Sequence, residues 1–325
     1  VHVAITGATG FLGVALTRAL SQTGHSVRII RRNHSDTSIL KDISYEDFIA
    51  DITDSRSLKQ AFSGCELVFH TAATVSMAGR YNDQYDNNVL GTTNVLNACL
   101  DQDVKRVVHT SSVAAIGYRP DGSATEKTSF SWPSDNLGYM QTKHEAELAV
   151  YRAIEQGLDA VIVNPSIIFG RNDPKQKMKP LLQSLQNGKI PFYPLGSTNV
   201  CDLDDVVKGH LLAAEKGKTG ERYILGGANI SYRNLLDTIA NEVSGRPPRW
   251  AISNSSAWIL KNLIRFIPDR KREKLALTDD LLDLAQLRVE FCSKKAIDEL
   301  GYTITPFKET IKKTADWYRE LGHLR

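Results

Sequence analysis

Tyr139 and Lys143 stand four residues apart in Tyr139-Met140-Gln141-Thr142-Lys143, so on a helix a phenol and an ammonium share one face. Ala146, Ala149, Val150, Ala153 and Ile154 continue at helical spacing and mark the stripe that is buried. Both reactive groups therefore sit at the start of a packed helix, where an inward lysine needs a partner because an unpaired buried charge is costly. Ser111 and Ser112 come at the end of Arg106–Thr110, which reads as a strand. A serine hydroxyl there can hydrogen-bond a substrate carbonyl while the phenol delivers or removes a proton.

The opening Val3-Ala4-Ile5-Thr6-Gly7-Ala8-Thr9-Gly10-Phe11-Leu12-Gly13 runs strand, tight turn, helix. Gly7 and Gly10 let the backbone approach a pyrophosphate, the new helix offers it unpaired N–H groups, and Gly13 permits close helix–strand packing. The spacing is Gly-x-x-Gly-x-x-Gly, and its place between a strand and an amphipathic helix is what gives it weight. The second strand ends in Arg31-Arg32-Asn33, with no acid before Asp36. Two guanidiniums there suit a 2′-phosphate and favour NADP(H) over NAD(H). Asp51 and Ile52 follow the third strand and fall beside the adenine, while Asp54 reads as a helix N-cap. On such a scaffold the serine, tyrosine and lysine serve hydride transfer. An unperturbed phenol titrates near about 10, so the ammonium and a cationic nicotinamide are needed to bring it towards neutrality.

The elements that position these groups alternate. Val1–Thr6, Val27–Ile30, Tyr45–Ala50, Glu66–His70, Arg106–Thr110 and Asp159–Asn164 read as strands, and Phe11–Thr23, Ser55–Phe62, Asn88–Leu100 and Tyr139–Gln156 as helices. Alternation of this kind means βαβ units and a parallel sheet covered on both faces. The expected fold is α/β, a Rossmann-type doubly wound parallel sheet with a smaller, mainly helical C-terminal substrate domain. Residues 1–165 form the NADP(H)-binding part, rejoined by about 200–226 through a helix at Leu203–Glu215 and a strand at Arg222–Leu225. Residues 166–199 and 227–325 form the substrate-binding part.

The chain has 325 residues, 42% hydrophobic and 24% charged, which excludes a disordered or fibrous protein. Forty Lys+Arg against 37 Asp+Glu leaves +3, too little for a dedicated nucleic-acid binder. No uncharged apolar run approaches the roughly 18 residues that span a bilayer. The chain opens on a strand entering a glycine loop, so no secretory leader is expected. Cys65, Cys99, Cys201 and Cys292 are far apart and without a CxxC pair, which fits reduced thiols in a cytoplasmic setting. His25, His70, His109 and His210 show no metal-ligand spacing, and His70 and His109 read as core residues, so no metal is assigned.

Thr6–Gly13 with Tyr139-x-x-x-Lys143 resembles the extended short-chain dehydrogenase/reductase family. His70-Thr71-Ala72-Ala73, Asn87–Thr92, His109–Val113, Val163–Ser166, Asp202–Val206 and Lys295–Tyr302 carry the likeness from end to end. Val163–Gly170 and Glu221–Gly227 bring the chain nearer the dihydroflavonol-reductase-like branch, which takes in hydroxysteroid-dehydrogenase-like and hopanoid-associated bacterial proteins. The resemblance implies Ser112, Tyr139 and Lys143 as the catalytic trio. It implies that Ala72, Ala73, Thr110, Pro165 and Ser166 line the cofactor, that Asn88 supports the lysine through water, and that Arg32 holds the 2′-phosphate with Arg31 an additional basic residue. Sugar-nucleotide dehydratases of the family carry an acidic pair after a threonine where this chain has Ser111-Ser112-Val113, which argues against that reaction. Members dimerise through helices corresponding to Asn88–Leu100 and Tyr139–Gln156 or remain monomers.

Met77, Tyr81, Tyr118, Trp132, Phe169, Met178, Phe192 and Tyr193 are candidates to line a substrate pocket and hint at a hydrophobic ketone, aldehyde or secondary alcohol. Ser255–Ile267, followed by Arg270-Lys271-Arg272, reads as packing or a lid in preference to a membrane-surface helix. The expectation is an NADPH-dependent reductase of a hydrophobic carbonyl, or the reverse alcohol dehydrogenase. Two rivals are a sugar-nucleotide epimerase with tightly held NAD and a non-catalytic NADP-sensing binding protein.

Overall fold

A computed structural model describes residues 1–134, 136–252 and 278–325, so the segment 255–272 lies outside the described residues. Seven parallel strands form one sheet. They are β1 (His2–Thr6), β2 (Ser26–Arg31), β3 (Glu46–Ile49), β4 (Leu67–His70), β5 (Arg106–Thr110), β6 (Ala160–Pro165) and β10 (Arg222–Leu225), in the order β10-β6-β5-β4-β1-β2-β3. Central β6 is buried at every position, as its apolar run requires when both faces are covered. The order reverses between β1 and β4, which opens a crevice at their C-terminal ends, where open α/β sheets hold ligands.

Helices α1 (Phe11–Gln22) and α7 (Leu203–Lys216) cover one face, burying Val14, Leu16, Leu20, Val206 and Val207 with Ile5, Ile29 and Val163. Helices α2 (Ser55–Phe62), α4 (Gly91–Asp101) and α5 (Gly138–Glu155) cover the other, through Leu58, Phe62, Val95, Leu96, Val150 and Ala153. Each such aliphatic or aromatic side chain contributes about 1.5–3 kcal/mol on full burial. Asp54 caps α2 by accepting from the Arg56 N–H at 3.1 Å.

The expected helix at Asn88–Leu100 begins earlier and is not uniform. Asn82–Tyr85 leads into a wider π turn at Asp86–Leu90 before α4 starts, and this turn carries the buried Asn88. Such turns recur where a helix must re-aim a side chain.

Beyond β6 the described residues carry short strands beside the expected helices. β7 (Ile167–Phe169), β9 (Ser197–Asp202) and β11 (Ala228–Ser231) form a three-stranded sheet, and β8 (Phe192–Pro194) pairs with β12 (Trp250–Ile252). These strands leave no signal in the sequence, because runs of three to six residues broken by Pro and Gly carry little periodicity. A separate core joins Phe169, Leu182, Leu185, Leu235, Ile239, Ile311 and Tyr318.

β10 is an edge strand, and its edge is covered. Glu126 accepts from the Ile224 N–H at 2.9 Å, while the Arg222 guanidinium donates to the carbonyls of Glu126 and Thr128.

Candidate active site

The glycine loop is built on backbone proximity. Gly7 has φ +72° and lies so close to the start of the segment after β4 that an added Cβ would meet the Ala72 nitrogen at 2.7 Å. A Cβ on Gly13 would lie 2.1 Å from the Gly7 carbonyl oxygen, whereas one on Gly10 would meet that same oxygen at 3.1 Å. Gly7 therefore serves the close approach of the loop to the segment after β4, Gly13 the packing of α1 onto the Gly7–Ala8 turn, and Gly10 leaves the helix entrance open. The Gly10 N–H donates to the Gly7 carbonyl at 2.9 Å and closes the turn that holds Thr9. No side chain caps α1, and its first turn, from Phe11 and Leu12 onward, holds no acid. Its free N–H groups and positive end suit a diphosphate.

Along this sheet edge, Arg31 and Arg32 end differently from one another. Arg31 is committed to Asp47, with Nε donating to Oδ1 at 2.7 Å and a terminal nitrogen to Oδ2 at 2.6 Å. Cross-strand pairing of β2 with β3 creates that bidentate bridge. Arg32 is exposed and, among the described residues, has no ion-pair partner. Of the two guanidiniums, only Arg32 is uncommitted. Asp51 accepts from the Thr53 N–H and hydroxyl at 2.9 and 2.8 Å, and Ile52 packs against Gly91. Ala72 and Ala73 follow β4 beside Gly7, and buried Pro165 and Ser166 come at and just after the end of β6.

Tyr139 and Lys143 both lie buried on α5. Gly138 makes their placement possible, since a Cβ there would sit 2.4 Å from the Tyr81 nitrogen. The Lys143 ammonium donates to the Thr110 carbonyl at 2.8 Å, which ties the helix to the end of β5. Burial draws its pKa down to about 8, with the Glu147 carboxylate opposing that fall. Burial raises the Tyr139 phenol above its ordinary value, and a hydrogen bond with Ser112 works the other way. Within the protein alone, desolvation is the larger of these two effects. The Ser112 hydroxyl oxygen accepts from the Ala114 N–H at 3.1 Å and caps the turn at Val113–Ala115.

A layer of buried polar groups stands behind the trio. The Asn88 amide donates to the Thr74 carbonyl at 3.0 Å and the Thr142 hydroxyl at 3.1 Å. The Thr92 hydroxyl gives its proton to the Asn88 carbonyl, so it accepts from His70 Nε2, and His70 Nδ1 accepts from Thr6 at 2.7 Å. Burial lowers His70 to about 3 and holds His109 well below its ordinary value. On the opposite face His210 Nδ1 donates to the Val206 carbonyl, leaving Nε2 to accept from the Thr110 hydroxyl at 2.9 Å. Burial lowers it to about 4.

Beside Tyr139, the apolar wall is made by Phe130, Trp132, Leu281 and Leu284. Trp132 donates to the Ala114 carbonyl at 3.0 Å and stacks on Tyr118 at 6.5 Å between ring centres. Of the eight pocket candidates, only these two aromatics gather here. Phe169, Met178 and Tyr193 pack in the separate C-terminal core, Tyr81 donates to Glu145 at 2.7 Å, and Met77 and Phe192 are exposed. Leu281 and Leu284 were missed because nothing in their local pattern points at a tyrosine more than a hundred residues away. A cleft of about 790 Å³ lined by Glu126, His144, Glu147, Arg222 and Lys295 lies against β10. Neither Tyr139 nor the glycine loop lines it, and two ion pairs lie within its lining, Arg222 with Glu147 and Lys295 with Glu221. Among the described residues no cluster has the make-up of a metal site, the four cysteines are free, and no helix is long and apolar enough to cross a membrane.

The model of the NAD dependent epimerase/dehydratase family matches residues 3–226, and the chain belongs to that family. A putative dihydroflavonol 4-reductase from Synechocystis sp. is 32% identical over 336 residues, spanning 99% of this chain and 95% of that protein. Sterol demethylase protein B from Methylococcus capsulatus is 33% identical over 327 residues, with 98% of each covered. Among solved structures, gox2253 matches with a TM-score of 0.86 at 33% identity over 99% of both chains. A nicotinamide dinucleotide is the cofactor expected in this family.

Proposed function

We propose that this family member is an NADPH-dependent reductase that converts a hydrophobic ketone or aldehyde to an alcohol, or runs the reverse. The observation that carries the reading is the Tyr139 phenol and the Lys143 ammonium, both buried one helical turn apart on α5, with the ammonium tied to the Thr110 carbonyl at the end of the strand that leads into Ser112. The dinucleotide supplies or accepts the hydride when bound. Gly7, Thr9, Gly10, Phe11, Leu12 and Gly13 cradle its diphosphate, Arg32 meets the 2′-phosphate, and Asp51 and Ile52 flank the adenine. Ala72, Ala73, Thr110, Pro165 and Ser166 line the nicotinamide end.

Ser112 orients and polarises the substrate oxygen through its hydroxyl, and Tyr139 protonates it. The protonated phenol is the form that serves as the acid in reduction, and burial raises the Tyr139 phenol above its ordinary value. Loss of that proton leaves a buried phenolate, which the nearby Lys143 ammonium stabilises. Two N–H donors of Lys143 remain after the bond to Thr110, enough to hold the nicotinamide ribose. Trp132, Leu281 and Leu284 supply an apolar wall with few polar groups, in keeping with a hydrophobic substrate and with relatives named for a flavonol and a sterol.

The test is a cofactor-consumption screen of hydrophobic aldehydes, ketones and sterol-like alcohols with both nicotinamides, repeated on Tyr139→Phe. Turnover should fall by about 10²–10⁴-fold, with NADPH affinity retained. Undiminished turnover in that variant refutes the assignment. Purified protein that carries bound NAD and ignores free NADPH would point to the epimerase reading instead.

A further inference from the structure

Glu147 lies one turn beyond Lys143 on α5, on the face that carries Tyr139, and its side chain is only 1% exposed. A carboxylate so far from water needs strong partners. It has two, from two strands. Oε2 accepts from Arg222 on β10 at 3.0 Å, and Oε1 accepts from the Asn164 amide on β6 at 2.6 Å. The same Asn164 amide donates to the backbone carbonyl of Ser112 at 2.9 Å. Arg222 is fixed from its other side by the carbonyls of Glu126 and Thr128. Neighbouring strands set the spacing, since Arg222 stands opposite Ile162 and Ile224 opposite Asn164 in the β10–β6 register.

We propose that Glu147 is a positioning residue, bracing the carbonyl of Ser112 through Asn164 and anchored in turn by Arg222, so that serine, tyrosine and lysine keep one mutual geometry. The inference rests on the reductase reading of those three residues. A helix turn, a central strand and an edge strand meet at one carboxylate, and the residue they steady through it is the serine. Removing the carboxylate frees the Asn164 amide from one of its two acceptors and leaves Arg222 without its only ion-pair partner among the described residues. Glu147 also acts on Lys143 through its charge, and the other titratable groups that face the lysine are Tyr139 on α5 and the neutral His70 and His109 on β4 and β5.

The experiment compares Glu147→Ala and Glu147→Gln with the wild-type chain, by steady-state kinetics across pH and by hydrogen exchange of peptides covering 110–118. Alanine should lower kcat about 10- to 100-fold, because a small displacement of a reacting group costs that much. KM should stay within about threefold, and exchange at 110–118 should rise. Glutamine keeps an acceptor for Asn164 and should recover most of kcat, but without the charge its alkaline limb should move to lower pH. Wild-type kcat in Glu147→Ala, or glutamine as damaging as alanine with an unmoved limb, overturns the proposal. A wild-type chain that lacks reductase turnover, with exchange still released in Glu147→Ala, would sink the reductase reading alone.

Discussion

Removing the Arg32 side chain should weaken NADPH and leave NADH alone, whereas removing Arg31 together with its partner should change neither. The sequence resemblance gives Arg32 the 2′-phosphate and leaves Arg31 as an additional basic residue, and the bidentate bridge commits Arg31 to Asp47. A charge-assisted bond to a phosphate is worth about 1.5–3 kcal/mol when shielded from water. Arg32 is exposed, so solvent and salt reduce that figure to about 1.4 kcal/mol, roughly tenfold in dissociation constant. Arg32→Ala should therefore raise the NADPH constant about tenfold, more at low salt and less at high salt. The double variant Arg31→Ala/Asp47→Ala deletes an exposed pair as a unit and should keep NADPH within about threefold of wild type. Fluorescence titration of both nicotinamides at two salt concentrations measures all of this. Parallel loss of NADH in Arg32→Ala, or a double variant as weak as Arg32→Ala, would refute the division of labour.

Gly13→Ala should destabilise the fold by about 1–3 kcal/mol or more in urea denaturation, because its Cβ meets backbone at 2.1 Å. Gly10→Ala should denature near the wild-type midpoint yet bind NADPH less tightly, and equal stability losses in the two would contradict the loop geometry. Stability should also decline as pH falls from about 6.5 towards 4. His70, His109 and His210 have depressed values in the folded state, so the unfolded chain takes up protons there that the folded chain refuses. Each histidine costs up to about 1.4 kcal/mol per pH unit, and His109→Leu should flatten the measured slope by about that amount.

Tyr139, Lys143 and the three loop glycines were legible in sequence because helical spacing and a strand–turn–helix context are local signals. The sheet was legible for the same reason, since β-branched runs alternate with amphipathic stretches. What escaped notice was created by chain-distant neighbours. Glu147 looks like an ordinary polar residue on a helix until β10 brings Arg222 to it from 75 positions away. The loss of Arg31 to Asp47 depends on the β2–β3 register, which no local pattern specifies. Strand β9 is buried throughout, yet Ser197-Thr198-Asn199 opens it with polar residues that neither alternation nor hydrophobicity would pick out.

The carboxylate of Glu126 on the outer side of β10 has a consequence for the protein in a crowded solution. A parallel sheet rich in valine and isoleucine is a template on which another chain could assemble, and its outermost ladder is where recruitment would begin. At Ile224 that position is already taken by the molecule's own loop, held down by Arg222. The arginine that steadies the interior from one side thus keeps the border closed from the other. Shortening the loop should therefore cost solubility and loosen Arg222 together.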